Sequence, residues 1–462
     1  MLRTLFALQG RVNRRVYLVT GVSLMLLKYV VDATAIYLVA HVFWTPWDYL
    51  IPLFSVKAAK LAAIPAGFSL AFALWTLPFV WIGVTMMMRR AIDAGKSPAW
   101  CAFFVVPLLN YAVMLWLGTL PSVPESAELA IPEHRFTADK FRSALAGVLG
   151  ATAIALIAVF FSVFAFGSYG LTLFLATPFI QGMVVGYAFN RGQLRSTSET
   201  TGVVWLSLLL VGGVVLLFAL EGALCVAMAL PLAGVLALLG GAVGRAMAQA
   251  RSGTGFGYVA VLFVLPTGAA MDKVSLAAPT YEAVTTVEVA APPEVVWTHV
   301  VQFGEIRDQP AWYFRAGIAY PLRASIAGRG VGALRRCEFS TGAFVEPITV
   351  WDPPRILAFD VIDQPAPLRE LSIYHKVYAP HINGYFRSTH GEFRLTRLAN
   401  GHTSLEGHTW YSVDVYPQGY WRTASEILLH RIHRRVLDQV KRESEEVVTP
   451  KLAAFAADPL KR

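Results

Sequence analysis

What most constrains this chain is a boundary at Pro279: before it, apolar runs about as long as a bilayer is thick follow one another, and after it there are none. The runs fall near 17–42, 68–88, 99–120, 143–167, 169–189, 202–221 and 223–243, with a shorter one at 256–271. A hydrocarbon core of about 30 Å takes roughly 20 helical residues to cross. Backbone in that environment has no water to bond with, so every run is predicted to be a helix. A hydrophobic content of 56% against 15% charged residues agrees with an integral membrane protein.

Charge supplies orientation and excludes one class of partner. Residues 1–279 carry 18 Lys and Arg against 10 Asp and Glu, whereas 280–462 carry 21 against 20. The basic excess therefore sits in short loops between apolar runs, where the positive-inside rule accounts for it, and nucleic acid is not an expected partner. Ser168-Tyr169 and Glu221-Gly222 separate two pairs of runs so narrowly that both pairs read as hairpins. Their far ends carry Arg135, Lys140 and Arg142, then Arg191 and Arg195, then Arg245 and Arg251. Strict alternation of eight spans would put Arg191, Arg195, Arg245 and Arg251 outside. A run at 99–120 that enters and returns on one side, interrupted by Pro107 and Asn110, would keep all basic loops inside and carry the C-terminal part to the outer face. Arg11, Arg14 and Arg15 precede a first run too long for a cleaved signal, which is expected to stay as a span. Cys101, Cys225 and Cys337 form neither a disulfide framework nor a metal-ligand pattern.

Two stretches of the first 120 residues carry a resemblance. Gly10-Arg11-Val12-Asn13-Arg14-Arg15-Val16-Tyr17 and Arg89-Arg90-Ala91-Ile92-Asp93-Ala94-Gly95-Lys96-Ser97 resemble the two signatures of the domain-of-unknown-function 805 family, with Ala91-Ile92 where Leu-His is usual. The resemblance implies a multi-pass protein of the bacterial inner (cytoplasmic) membrane and no chemistry. Arg14, Arg15, Arg89, Arg90, Asp93 and Lys96 form a basic motif at the membrane edge, suited to topology anchoring, lipid phosphate contact or a mutual ion pair. Lys28 and Asp32, four apart in the first run, can pair on one helical face.

After Pro279 the period changes from helical to alternating. Strands are predicted at 281–289, 332–340, 343–351, 355–362, 386–398 and 403–413, the last two joined at Asn400-Gly401, a strong hairpin signal. Pro292-Pro293 opens a short helix. From about Gln418 to Val447 a long helix carries Leu429, Ile432, Val436 and Val440 as its apolar stripe. Val287-Glu-Val-Ala-Ala-Pro-Pro-Glu-Val-Val-Trp297, Trp351-Asp-Pro-Pro-Arg355 and Gly391-Glu-Phe-Arg-Leu395 resemble the START-like superfamily, also called SRPBCC or polyketide cyclase/lipid-transport. That resemblance implies a curved sheet wrapped around the long helix with an apolar cavity between them. The expected organisation is an inner-membrane domain at 1–120, further helical hairpins at 121–275, a soluble α+β helix-grip domain at 280–448 and a flexible tail at 449–462.

A sheet that must accommodate one long helix leaves space that an apolar ligand can complete. Each buried CH₂ is worth about 0.8 kcal/mol, so exchange with a bilayer is nearly balanced in free energy and shuttling follows. The residues expected to line the cavity are Trp312, Tyr313, Glu338, Phe344, Glu346, Phe359, Tyr385, Trp410, Leu429, Ile432 and Val436, with Gln364–Tyr385 as a candidate lid. Glu406 and His408 are the candidate acid/base pair. Inward, a desolvated carboxylate beside an imidazole can act as a base near neutral pH; outward, these acids would pair across strands with Arg394 and Arg335. No metal or other cofactor is implied, since His430 and His433 are read on an arginine-rich helix face. The leading expectation is a membrane-tethered protein that binds or transfers a lipid or isoprenoid-like ligand, its partners the bilayer and that apolar molecule. The alternatives are a membrane-bound cyclase or hydratase acting on a hydrophobic substrate, and a structural or sensor protein with a filled cavity.

Overall fold

The computed structural model describes residues 5–8, 10–50, 60–61, 64–96, 98–105, 109–123, 140–250, 256–273, 278–371, 382 and 384–456. Pro107, Arg135, Arg251, His375, Pro380, His381, most of the candidate lid and residues 457–462 lie outside them. The chain divides into two units: Met1–Ala277 with Val415–Tyr420, and Ala278–Asp414 with Trp421–Arg462.

The first unit is helical. Its elements are α1 (Arg14–Ala40), α2 (Pro46–Leu50), α3 (Ala66–Asp93), a 3₁₀ segment (Pro98–Val105), α4 (Leu109–Thr119), α5 (Lys140–Ala165), α6 (Thr172–Asn190), α7 (Thr197–Leu217), α8 (Ala223–Gln249) and α9 (Phe256–Lys273). Among the described residues, α1, α5, α6, α7 and α8 are long and apolar enough to cross a membrane. Val19, Val22, Leu26 and Val30 of α1 stand exposed, as lipid-facing side chains do and as a water-soluble core helix would not. The run predicted at 99–120 is not one helix: α4 rises only about 16 Å, about half a hydrocarbon core. Its chain also returns where it began, because the Val123 N–H donates to the Asp93 carbonyl at 2.8 Å. At the far pair of hairpins, Lys140 meets Glu199 at 2.5 Å and Arg245 Nε donates to the Arg195 carbonyl at 3.0 Å, so these basic ends lie together.

Helices α6 and α8 touch backbone to backbone. A Cβ on Gly182 would sit 1.9 Å from the Ala237 carbonyl oxygen, and one on Gly240 would sit 2.0 Å from that of Phe179. Small residues permit this approach where no hydrophobic force drives helices together. Lys28 and Asp32 do pair, at 2.6 Å, and Asp32 also accepts from Trp75 Nε1 at 3.1 Å, which satisfies its buried carboxylate.

The second unit is a seven-stranded antiparallel sheet in the order β1-β7-β6-β5-β4-β3-β2. Its strands are β1 (Thr280–Val289), β2 (Pro321–Ala327), β3 (Leu334–Phe339), β4 (Gly342–Asp352), β5 (Ile356–Asp360), β6 (Phe386–Arg397) and β7 (Thr403–Val413). Two short helices, α10 (Pro293–Val301) and α11 (Trp312–Arg315), precede β2, and α12 (Gln418–Ala456) follows β7. β2 carries a weak sequence signal, because it starts on a proline, contains a bulge and offers only Leu322, Ala324 and Ile326 as a short apolar alternation. The helix α12 continues past Val447 to Ala456, into the stretch expected as a tail. Val436, Leu437 and Val440 of α12 join Val289, Leu357, Phe359, Phe393, Leu395 and Leu405 of the sheet and Val296, Trp297 and Val300 of α10 in one core. A single helix clasped against one face of a bent sheet is the helix-grip architecture.

Candidate functional site

The inner face of the sheet follows from the register. Tyr281 lies opposite Tyr411, Ala283 opposite Thr409, Thr285 opposite Gly407 and Val287 opposite Leu405, and these odd-numbered positions face α12. Packing along this face is graded. Leu357 and Leu405 are fully buried and Leu395 nearly so, at the end where α12 presents Val436, Leu437 and Val440. Toward the opposite end the filling is uneven: Tyr281, Tyr411 and Val413 on β1 and β7 are buried, whereas Phe339, Phe344 and Phe386 face inward yet keep accessible surface, as does Thr409, one inward position before Tyr411. This second end is where β3 turns into β4 and β6 begins, beneath the first turns of α12.

Polar groups interrupt the interior at several points. Arg335 and Glu346, directly opposite on β3 and β4, form a fully enclosed ion pair. Three aromatic rings surround the guanidinium, with centroids at 6.0 Å for Phe303, 5.1 Å for Phe359 and 5.6 Å for Phe393. Burial opposes charge on Arg335, and the Glu346 carboxylate and Cys337 together outweigh it, so the guanidinium stands above its ordinary value. Burial also pushes the Glu346 carboxyl up, against the pull of Arg335, and drives the adjacent Cys337 thiol up to about 12, which leaves it inert as a nucleophile. Another polar group is a hydroxyl–imidazole chain: Thr285 Oγ1 lies 2.7 Å from His430 Nδ1 and 3.0 Å from His433 Nδ1, while His433 Nε2 lies 2.8 Å from Thr409 Oγ1. Burial, then the neighbouring His430 and His408, lower His433 to about 4, so this imidazole is neutral at ordinary pH.

Several expected positions differ. Glu406, His408 and Trp410 lie on the outer face of β7, where His408 Nδ1 meets Glu282 at 2.7 Å and Nε2 meets Glu406 at 3.3 Å, beside the Trp410 ring. The acid/base pair is therefore a cross-strand surface cluster and does not enter the grip. Glu338 also faces outward, paired with Arg323 at 2.8 Å. Trp312 is 71% exposed, and Tyr313 is half-buried between Trp312 and Phe314. Phe344, Glu346, Phe359, Leu429 and Val436 face the interior, Ile432 is half-buried, and half-buried Tyr385 stands just before β6, its carbonyl accepting from Asp414. The described part of the candidate lid packs on the α11 segment through Arg369 N–H to the Gly317 carbonyl and Ala319 N–H to that of Pro367.

Arg335, Thr285, Thr409 and His433 belong to the interior without having been singled out for it. For His433 the signal was available: it is four residues from Leu429 and four from Leu437, and so lies on the buried stripe rather than with the exposed Arg431 and Arg434. Among the described residues, no three His, Cys, Asp or Glu side chains gather so as to hold a metal ion.

In the helical unit the basic motif is a lock. Arg90, fully buried, bonds Asp93 and donates to the Leu117 carbonyl at 3.0 Å and to that of Leu120, while Ser122 Oγ donates to Asp93 at 2.5 Å. Arg11 joins it, donating to the carbonyls of Asp93 and Val123. Arg89 is buried and reaches the Ala7 carbonyl, whereas Arg14, Arg15 and Lys96 are exposed. Of the uses open to this motif, the Arg90–Asp93 part takes the mutual ion pair and is closed to lipid phosphate.

No curated protein matches the chain. Among solved structures, an aromatase/cyclase, Zhui, from a Streptomyces species is 17% identical over 37% of this chain and 96% of its own, with a TM-score of 0.24. A truncated norcoclaurine synthase from Thalictrum flavum is 13% identical over 36% and 95%, also with a TM-score of 0.24. Residues 5–128 match the family described as protein of unknown function (DUF805).

Proposed function

We propose that the C-terminal unit binds a hydrophobic molecule between sheet and helix, and that the membrane unit keeps it at the bilayer from which such a molecule comes. The observation that carries this reading is the graded interior: a dry, filled end under Val436–Val440, and an opposite end where inward-facing Phe339, Phe344 and Phe386 remain accessible. Aromatic and apolar walls with a few placed polar groups are what ligand sites are made of. With Glu406 and His408 on the outer face, a cyclase-like acid/base role for them has no geometric basis. We place the protein in a bacterial inner membrane, with its basic loops inside and its grip on the outer face, as the positive-inside rule favours.

The test is solvent extraction of the full chain purified in detergent, followed by mass spectrometry. An apolar compound at near-stoichiometric level is expected. Ser388→Phe, which plugs the accessible end beside Tyr411, should lower it severalfold while leaving the lipids that travel with the helices. Equal amounts of every extracted compound in both proteins would count against a ligand in the grip.

A further inference from the structure

The interior holds its charges in compensated pairs. Arg335 has Glu346, and Arg422, buried on α12 over the Tyr281 ring, has Glu426 at 3.9 Å. Arg435, half-buried on α12 over the Tyr320 ring, donates to the carbonyls of Pro321 and Asp308, so a carboxylate or phosphate entering beside Thr409 would lose its water without meeting a cation that is not already engaged. The hydroxyl–imidazole chain offers something different. Thr285 has one hydroxyl proton and two imidazole Nδ1 atoms facing it. If that proton goes to His433 Nδ1, His433 Nε2–H donates to Thr409, and the Thr409 proton is free to point at a carbonyl oxygen. If it goes to His430, His433 Nδ1–H donates to Thr285, Thr409 donates to Nε2, and the remaining Thr409 lone pairs accept from a hydroxyl. The low value of His433, about 4, keeps that imidazole neutral in both arrangements. Thr409 faces inward between buried Gly407 and Tyr411 and keeps accessible surface, where Thr285 and His433 are buried.

We infer that Thr409, backed by His433, Thr285 and His430, is the recognition point for a neutral oxygen group, an alcohol or a ketone, on an apolar ligand. This rests on the ligand-binding reading and narrows its class: long-chain or isoprenoid alcohols and ketones are admitted, fatty acids and phospholipids are not.

The experiment offers the full chain in detergent, at neutral pH, an equimolar mixture of hexadecanol, a hexadecanone, hexadecanoate and hexadecane, read by native mass spectrometry. The expected result is retention of the alcohol and the ketone about tenfold over the acid and the hydrocarbon, as a site built to hydrogen-bond its ligand discriminates. Thr409→Val should erase that preference and Thr409→Ser should keep it; should the valine variant not fold, His433→Gln takes its place. Hexadecanoate bound as well as the alcohol overturns the neutral-head inference while leaving ligand binding intact. A preference for alcohol and ketone unchanged in Thr409→Val overturns the recognition point. Retention of none of the four sinks the binding reading itself, and this inference with it.

Discussion

His433 shows how one residue couples the grip to pH. Its folded value of about 4 lies below the 6.5 of an exposed imidazole. A group depressed on folding contributes stability that is complete above the unfolded value and lost as pH falls toward the folded one. The whole difference amounts to roughly 3 kcal/mol. The second unit should therefore weaken from about pH 6.5 down to about pH 4, and His433→Gln, which keeps two hydrogen-bonding atoms, should flatten that slope. Denaturation followed by tryptophan fluorescence checks it; because His430 and His408 face the same group, the quantity to read is the difference between variant and parent. Residue-scale parity is also where sequence reading failed. On β7 the outward set includes Glu406, His408 and Trp410, whose large ring makes that face look like the core, while the inward set contains Gly407 and Thr409. The inner face is lean for a reason: a Cβ on Gly407 would already stand 3.5 Å from Leu437 of α12, so the helix leaves no room for bulk there.

At the scale of elements, legibility followed length and period. The helices α5 to α8, the long α12 and the β6–β7 hairpin at Asn400-Gly401 were all readable, because each rests on a repeated pattern or a strong turn. The strand β2 was not, since a bulge and a leading proline leave too few alternations to count. Nor could composition say how closely α6 and α8 approach, although their glycines hinted at it. That contact carries a prediction. Gly240→Val would force side-chain atoms into the Phe179 carbonyl, a clash with backbone that no rotamer change relieves. Its expected outcome is loss of monodisperse protein in size-exclusion chromatography. Gly213→Ala on the exposed side of α7, where nothing lies within 4 Å, should be neutral or stabilise by about 0.5–1 kcal/mol.

For the molecule as a whole, function turns on which side of the membrane the grip occupies. The decisive element is the 98–119 stretch, broken into a 3₁₀ segment and α4. Asp93 at the end of α3 and Val123 after α4 are tied to each other, Arg11 donates to the carbonyls of both, and Arg90 bonds Asp93 and the carbonyls of Leu117 and Leu120. A chain that leaves and returns at one end adds no crossing. The proposed orientation requires α3 and α9 to cross as well as the five helices that are long and apolar enough to do so: with α1 starting inside, α3 would return to the inside, α5 leave, α6 return, α7 leave, α8 return and α9 leave once more. Arg11, Arg90, Lys140, Arg195 and Arg245 all fall inside by that path, as the distribution of basic residues favours. On that proposed path the grip would emerge outside, where it would meet lipids of the envelope rather than cytosolic metabolites. Alkaline phosphatase fused after Arg462 should be active and a fluorescent protein there dark, and the same reporters inserted between Ser122 and Lys140 should show the opposite. If the C-terminal fusion reports the interior, α4 and the segment before it cross the membrane after all, and the apolar ligand must be sought among cytosolic compounds.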